Sequence, residues 1–278
     1  MPAMNEPRSI VIKPSRGWAA LNLKDLWNYR ELIYFFTWRD LKVRYKQTLL
    51  GASWAVLQPF LTMVVFSIFF GGLAKVPSDG VPYPIFSYTA LIPWTLFSKA
   101  LQDASRSLVS SANIISKVYF PRLILPLSST LAGLVDFVIA FVVLLGMMVF
   151  YGITPTANIW MLPIFVLLAL ITAIGFALWL SALNVMYRDV GYIIPFLTQF
   201  WMYITPIAYP ASMVPEQWKI LYALNPLTGV VEGFRWALLG TGEGPGISLW
   251  ISAGIAILVT ISGLFYFRRM ERKFADMV

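Results

Sequence analysis

The sequence predicts an all-α integral membrane protein with six transmembrane helices and both termini in the cytoplasm. Hydrophobic residues make up 59% of the 278 residues and charged residues only 12%, whereas soluble globular domains carry about twice that charge. The hydrophobic residues occur in long blocks of roughly the length that crosses a bilayer. Lys and Arg concentrate between alternate blocks, and this bias sets the orientation.

The chain is predicted to begin with a cytoplasmic tail over residues 1–28, followed by an amphipathic helix over 29–50. The tail is basic and proline-containing, and it lacks the apolar core and cleavage site of a signal peptide. In this helix, residues at the spacing i, i+4, i+7 and i+11 fall along one line of the surface, namely Tyr34, Trp38, Leu41 and Tyr45. Basic residues lie on the adjacent side, so we expect the helix at the cytoplasmic interface, with its aromatic residues at headgroup depth.

Two roles remain open for this amphipathic helix. It either anchors the start of the first span, or it borders a cytoplasmic entrance and meets an anionic substrate or a partner protein. The candidate entrance residues are Tyr34, Trp38, Arg39, Lys42, Arg44 and Lys46. The alternation from Lys42 to Lys46 would also suit a β-strand.

The membrane domain is predicted over residues 51–268 and contains the six spans. They lie at about residues 52–74, 84–102, 123–151, 160–186, 192–209 and 247–267. Several contain proline, which spans tolerate where neighbouring helices cover the freed backbone groups. Residues 269–278 are predicted to form a cytoplasmic C-terminal tail.

Residues 210–246, before the last span, predict a re-entrant pair of short helices that enters the membrane from one side. Neither half is long enough to cross, and Asn225-Pro226 marks a turn between them. A single seventh span is the alternative, and Glu232 and Arg235 in its middle argue against it. Spaced i,i+3, these two side chains can pair on one helix face.

The distribution of charge supports this topology. A cytoplasmic N-terminus leaves only three of the 21 Lys and Arg outside, namely Lys75, Lys219 and Arg235. The net charge of +8 is thus explained by orientation, and no nucleic-acid partner is expected. No internal repeat is found, which argues against a carrier built from inverted repeats.

The sequence offers no catalytic centre of its own. It has no Cys and no His, which excludes thiol nucleophiles, disulfides and Cys/His metal sites. No P-loop, HExxH or GxSxG motif occurs, so no cofactor or metal is expected on this chain. Asp136 is the one ionisable residue deep in a span. It is either functional or a hydrogen-bonded packing residue, and we favour packing because no cationic residue is assigned near it.

The cytoplasmic loop over residues 105–122 predicts a short amphipathic helix. Its polar beginning is followed by an apolar face, and Pro121 is expected to end the helix. Such a helix, held between two spans, is suited to dock into a groove on a soluble partner. The alternative is that it packs on the membrane surface.

The order of the motifs identifies a family. In sequence they are Arg44-Tyr45, Leu50-Gly51, Trp54, Pro59, Lys117 to Arg122, Leu125-Pro126, Asn184, Tyr187-Arg188-Asp189, Thr205-Pro206-Ile207 and Leu224 to Leu227. From about Leu26 onward, the chain resembles the membrane-spanning permease of ABC exporters that move lipid-linked polysaccharide or teichoic acid, such as O-antigen, capsule and wall-polymer exporters.

The resemblance implies a homodimer in the bacterial inner membrane, paired with two copies of a separate subunit that binds ATP and Mg. It also implies that the amphipathic helix lies beside the entrance and the re-entrant pair near the outer exit. The loop would be the coupling helix on the ATPase, through Asn113, Ile114, Ile115, Lys117, Val118, Tyr119, Phe120 and Pro121.

The resemblance further implies a channel lined by the first and fifth spans, which conducts an undecaprenyl-type lipid-linked glycan. Aromatic rings stack on the apolar faces of sugars without fixing a sequence, as they do on nucleic-acid bases. The candidates are Phe66, Phe69, Phe70, Phe196, Phe200, Trp201 and Tyr203. The alternative for these rings is packing or an interfacial belt. The basic entrance residues would suit the pyrophosphate.

Three rival classes make different predictions. An ABC exporter for a small drug or lipid would share the architecture but not the order of the motifs. An ion- or proton-coupled carrier would need paired intramembrane charges, and a membrane enzyme of lipid metabolism would need a catalytic set. Only the ABC classes require an ATPase subunit.

Overall fold

The computed structural model describes residues 23–46, 53–242, 244 and 246–277, and in these residues all regular structure is helical. The α-helices are α1 (Leu23–Asn28), α2 (Arg30–Lys46), α3 (Ser53–Phe66), α4 (Tyr83–Ser110), α5 (Ala112–Ile115), α6 (Ile124–Tyr151), α7 (Leu162–Met186), α8 (Val190–Ile204), α9 (Glu216–Ala223), α10 (Pro226–Leu239) and α11 (Ile247–Met277). A π-helical segment, Ser67–Leu73, extends α3. Residues 42–46 are helical, so the strand alternative is wrong; the predicted Leu50-Gly51 motif lies outside the described residues.

In the part of the chain that the structure describes, four helical segments are long and apolar enough to cross a membrane, namely Ser53–Leu73, Ile124–Tyr151, Ala157–Met186 and Ile247–Glu271. They correspond to the predicted first, third, fourth and sixth spans, and they make this a multi-pass membrane protein. The predicted second span is helix α4, which has 28 residues but intersperses its apolar residues with Ser, Thr, Tyr and Pro. Its crossing of the membrane stays a prediction.

The predicted fifth span ends earlier than expected. Helix α8 stops at Ile204, and Thr205 is extended, with φ −83° and ψ 142°. Pro206 explains this, because a proline disfavours the α conformation of the residue before it. At about 1.5 Å per residue, the 15 residues of α8 span roughly 22 Å, less than the ~30 Å hydrocarbon layer.

Helix α4 is the centre of the bundle. It is buried along most of its length and contacts α3, α6, α7, α8 and α10. Its hydroxyl groups donate to carbonyl groups of the preceding turn, for example Thr89 to Ile85 (2.7 Å) and Ser105 to Leu101 (2.6 Å). Polar groups satisfied within one helix can lie deep in an apolar bundle without further partners.

Two structural predictions near the end of the chain have different outcomes. The segment before the last span forms two short helices, α9 and α10, as predicted, and Asn225 caps the second by accepting from the Leu227 amide (3.1 Å). Their depth in the membrane stays a prediction. The predicted C-terminal tail is instead helical, because α11 continues through Met277 with Met270 and Phe274 buried.

Helices α7 and α11 pack with their backbones in direct contact. A Cβ built on Gly263 would lie 2.5 Å from the Gly175 carbonyl oxygen, and one built on Gly175 would lie 2.6–3.0 Å from Thr260. Small residues at such positions allow membrane helices to approach closely. The two glycines therefore set the distance between the two helices.

We expect Gly263→Ala to destabilise the protein by about 1–3 kcal/mol, because the added methyl group meets backbone that must move. Thermal unfolding of the detergent-purified protein measures this. Gly254→Ala is the matched control on the same helix, since nothing lies within 4 Å of a Cβ at Gly254. Equal unfolding temperatures for the two variants would contradict the close contact.

Candidate functional site

The predicted entrance helix, α2, runs alongside the first turns of α6. The Thr37 hydroxyl lies 3.3 Å from the Ser128 carbonyl oxygen, and the Ser129 hydroxyl donates to Asp40 (2.9 Å). The buried ring of Phe36 packs against Phe120 with ring centroids 5.6 Å apart. Helix α2 is thus attached along its length to the bundle and to the loop between α5 and α6.

The outward face of α2 carries part of the predicted interfacial line, whereas Tyr45 turns inward and bonds to Asp136. Tyr34 and Trp38 are exposed, and so are Lys42 and Lys46. Arg39 is engaged within the helix, where it pairs with Asp40 (2.8 Å) and its guanidinium lies 4.7 Å from the Phe36 ring centre. Of the basic entrance candidates, the two lysines are the ones most available to a ligand.

Arg44 lies in a charged cluster that we call the Arg44 cluster, made of Arg44, Tyr45, Lys99, Asp103 and Asp136. The Arg44 guanidinium donates from Nη1 to Asp136 and from Nη2 to Asp103, each over 2.6 Å. Lys99 Nζ lies 3.6 Å from Asp136, and the Tyr45 hydroxyl donates to its other oxygen. One arginine on α2 therefore joins α4 to α6.

The electrostatics of the Arg44 cluster favour charged Arg44. Burial opposes its charge, but the carboxylates of Asp103 and Asp136 outweigh burial and raise the pKa of Arg44 above its ordinary value. Burial and the hydrogen bond to Asp136 raise the pKa of Tyr45, so Tyr45 keeps its proton and donates. The cluster is thus a set of mutually compensating charges.

The structure corrects the expectation that Asp136 has no cationic partner. Arg44 and Lys99 both pair with it, and its residue is only 7% exposed. No local pattern signals this pairing, because Arg44 and Asp136 are 92 residues apart in the chain. The ion pairs support the packing interpretation of Asp136. Asp136 packs, however, as a member of a charged cluster and not as an isolated group.

The segment predicted to couple to a partner forms a shorter helix than expected. Helix α5 has four residues and ends at Ile115, well before Pro121. Ile115 and Phe120 point inward and are buried in one apolar cluster, and burying both requires the chain to turn between them. Of the predicted coupling residues, the exposed ones are Asn113, Lys117, Val118 and Tyr119.

The predicted channel aromatics divide into an exposed set and a packed set. Phe69, Phe196, Phe200 and Tyr203 are each more than half exposed in the single chain. Phe196, Phe200 and Tyr203, together with exposed Tyr192, recur at helical spacing and form an aromatic stripe along α8.

The other predicted channel aromatics pack against side chains of the same chain. Phe66 is buried and stacks edge-on against Phe70, with centroids 5.3 Å apart. Trp201 packs between Phe97 and Phe176, and its indole N–H donates to Asn225 (3.0 Å). These contacts turn Trp201 away from the aromatic stripe.

A buried arginine fixes the non-helical segment after α8. Arg235, 1% exposed, donates from Nη1 to the Pro206 carbonyl oxygen (2.6 Å) and from Nη2 to that of Ile207 (2.8 Å). It also pairs with Glu232 over 3.2 Å, which confirms the i,i+3 pairing. Non-helical backbone inside a membrane protein needs such donors. No local sequence pattern predicts these two carbonyl partners.

Tyr83 connects this segment to the end of α3. Its hydroxyl donates to the Ala208 carbonyl oxygen (2.6 Å), and its ring lies 2.8 Å from where a Cβ on Gly71 would be. Because the ring comes this close, only glycine fits at position 71, which belongs to the π-helical segment. The ends of α3 and α8, the two predicted channel helices, are joined through one tyrosine.

The comparison with known proteins identifies the family. Residues 31–239 match the family described as ABC-2 type transporter. The chain belongs to this family. It is similar to an O-antigen export system permease protein RfbA of Klebsiella pneumoniae, with 30% identity over 89% of this chain and 95% of the relative. An RfbA of Myxococcus xanthus is 27% identical over 92% and 98% of the two chains.

This ABC-2 family member is also similar, at 24% identity over 84% of its length and 91% of the relative, to the polysialic acid transport protein KpsM of Escherichia coli. The predicted resemblance to polysaccharide-export permeases is therefore confirmed. Its relatives are transport permeases, which are not enzymes themselves. The matched region covers α2, the Arg44 cluster, the loop after α5 and Arg235.

Proposed function

We propose that this chain is the permease half of an ATP-driven exporter that moves a lipid-linked, O-antigen-like polysaccharide from the cytoplasmic to the outer face of the bacterial inner membrane. Two copies form a homodimer with a channel at their interface. Two copies of a separate nucleotide-binding subunit hydrolyse ATP. The near full-length similarity to O-antigen export permeases is the observation that carries the proposal.

The aromatic stripe on α8 supports a glycan path. A single chain leaves Phe196, Phe200 and Tyr203 uncovered, and a second copy facing them would enclose a conduit walled by rings. Aromatic rings bind successive units of a polymer without a fixed register, as a sliding glycan requires. Export of a capsular polysaccharide is the second candidate, favoured by the similarity to the polysialic acid transport protein KpsM.

The entrance is assigned to Lys42 and Lys46, which are exposed at the C-terminal end of α2. Ammonium groups attract the pyrophosphate of a lipid-linked glycan, whereas Arg44 already binds two carboxylates. We expect Lys42→Glu with Lys46→Glu to slow export by about ten-fold through lost attraction of the anion, with assembly unaffected.

The measurement for the entrance is surface glycan per assembled complex in cells. Arg30→Glu is the matched control, because Arg30 is exposed at the opposite end of the same helix. Wild-type export by the double lysine variant would remove the entrance role from these residues.

The proposed function is tested by purifying the tagged protein from its native membranes and identifying what accompanies it by mass spectrometry. We expect a stoichiometric soluble protein with a P-loop. Val118→Asp and Tyr119→Asp should each release it, because both side chains are exposed on the loop after α5. If the wild-type preparation contains no P-loop protein, the proposal that this chain belongs to an ATP-driven exporter is refuted.

The control for that release is Ile247→Asp. Ile247 is also exposed, but it begins α11, whose other end contacts the loop at Arg122. It therefore lies at the opposite end of the bundle and should retain the ATPase. Equal loss in all three variants would indicate general damage and contradict specific docking.

A further inference from the structure

The C-terminal end of α11 extends past the apolar layer and reaches the loop after α5. With 31 residues, the helix is about 46 Å long at 1.5 Å per residue, against a hydrocarbon layer of about 30 Å. Arg268 and Arg269 mark the end of its apolar run. The turn beyond them lies beside Arg122, which bonds to Glu271.

Arg122 is held by Glu271 through both its main chain and its side chain. The Arg122 amide donates to Glu271 Oε1 (3.1 Å), and its guanidinium donates to the Glu271 carbonyl oxygen. The second carboxylate oxygen accepts from Arg268 (2.9 Å). The carboxylate is thus fixed in the orientation that receives the Arg122 amide.

Apolar packing reinforces this attachment. Phe274 is completely buried and packs edge-on against Phe267, with ring centroids 5.3 Å apart. Both rings belong to the same buried cluster as Ile115 at the end of α5 and Phe120 in the loop that follows. The last turns of α11 therefore form part of the support on which the loop rests.

A displacement of the loop would be carried along α11 into the membrane. The helix is continuous from Met277 back to Ile247, and it meets α7 at the Gly263–Gly175 backbone contact. Close-packed backbones transmit movement because they cannot be compressed. Contiguous packed elements of this kind carry coupling between distant sites.

We propose that Glu271 and Phe274 are positioning residues that link the loop to the sixth span, so that ATPase movement reaches the channel through α11. This rests on the proposed function, in which the loop contacts the ATPase. The last turns of α11 are then part of the transmission of force. Neither residue contacts the ATPase or the glycan in this assignment.

The test uses the full complex with its ATPase, reconstituted in lipid vesicles, and measures ATP hydrolysis and glycan export together. Glu271→Ala and Phe274→Ala should keep the ATPase bound and hydrolysing, while export per ATP falls about ten-fold. Glu271→Gln retains an oxygen that accepts from the Arg122 amide and should restore much of the export. Arg269→Ala, exposed on the same helix, is the control and should behave as wild type.

Three results would overturn the proposal. Export per ATP equal to wild type in Glu271→Ala and Phe274→Ala would show that the end of α11 transmits nothing. Loss of the bound ATPase from these variants would assign them to docking or folding instead. Failure of Glu271→Gln to restore export would remove the role of the Arg122 contact. The wild-type complex, run in parallel, tests the proposed function separately, because it alone shows whether ATP drives export.

Discussion

Replacing Asp136 by alanine is expected to destabilise the protein by about 3 kcal/mol, because Arg44 and Lys99 then lose a carboxylate at a site with little access to water. For a chain of this size, that loss lowers the unfolding temperature by roughly 6–12 °C. Thermal unfolding of the detergent-purified protein measures the change. It should be accompanied by reduced export, since the C-terminal end of α2 is no longer tied to α6.

The Arg44 cluster allows an internal check. Combining Asp136→Leu with Arg44→Met removes one charge of each sign, and it leaves Lys99 and Asp103 to pair at i,i+4 on α4. Replacing both partners of a buried pair is far less costly than removing one, so the double variant should be more stable than Asp136→Leu alone. Glu216→Ala is the control. Glu216 pairs with Lys219, but the glutamate side chain is solvent-exposed, so removing it should change stability little.

The outcome against this interpretation is specific. If Asp136→Ala unfolds at the wild-type temperature, the cluster does not hold α2 on the bundle. If the double variant is no more stable than Asp136→Leu alone, charge compensation is not what Asp136 supplies.

Replacing Arg235 by methionine is expected to cost about 4 kcal/mol, because Glu232 loses its cation and two main-chain carbonyl groups lose their donors. The guanidinium also lies 3.6 Å from the centre of the Phe86 ring, where it makes a cation–π contact. Methionine is uncharged and cannot make this contact. We expect the segment after α8 to loosen and export to fail. Unfolding temperature and export report the two effects.

Two further variants separate charge from shape at this position. Arg235→Lys keeps the charge but lacks the planar fork that reaches Pro206 and Ile207, so it should restore only part of the stability. Arg188→Met is the control, because Arg188 is exposed in the turn before α8. Full stability of Arg235→Lys would show that the carbonyl contacts contribute little.

The sequence by itself determined the all-helical membrane class and the position of four apolar spans. Long apolar blocks predicted the four apolar spans because crossing a bilayer demands that length and composition. Asn225-Pro226 predicted the boundary between α9 and α10, since proline suits the first turn of a helix and asparagine caps it. The order of many short motifs indicated the family. Each of these depends on residues close together in the chain.

Only the tertiary structure decided which partners the charged residues have. Asp136 with Arg44, and Arg235 with Phe86, are joined across 92 and 149 residues of sequence. Periodicity tells which side chains share a helix face, but not which neighbour that face meets. For the same reason, the sequence did not show that Ile115 and Phe120 turn inward, that Trp201 packs against Asn225, or that α11 supports the loop. These outcomes depend on packing between elements, which chain-local patterns do not encode.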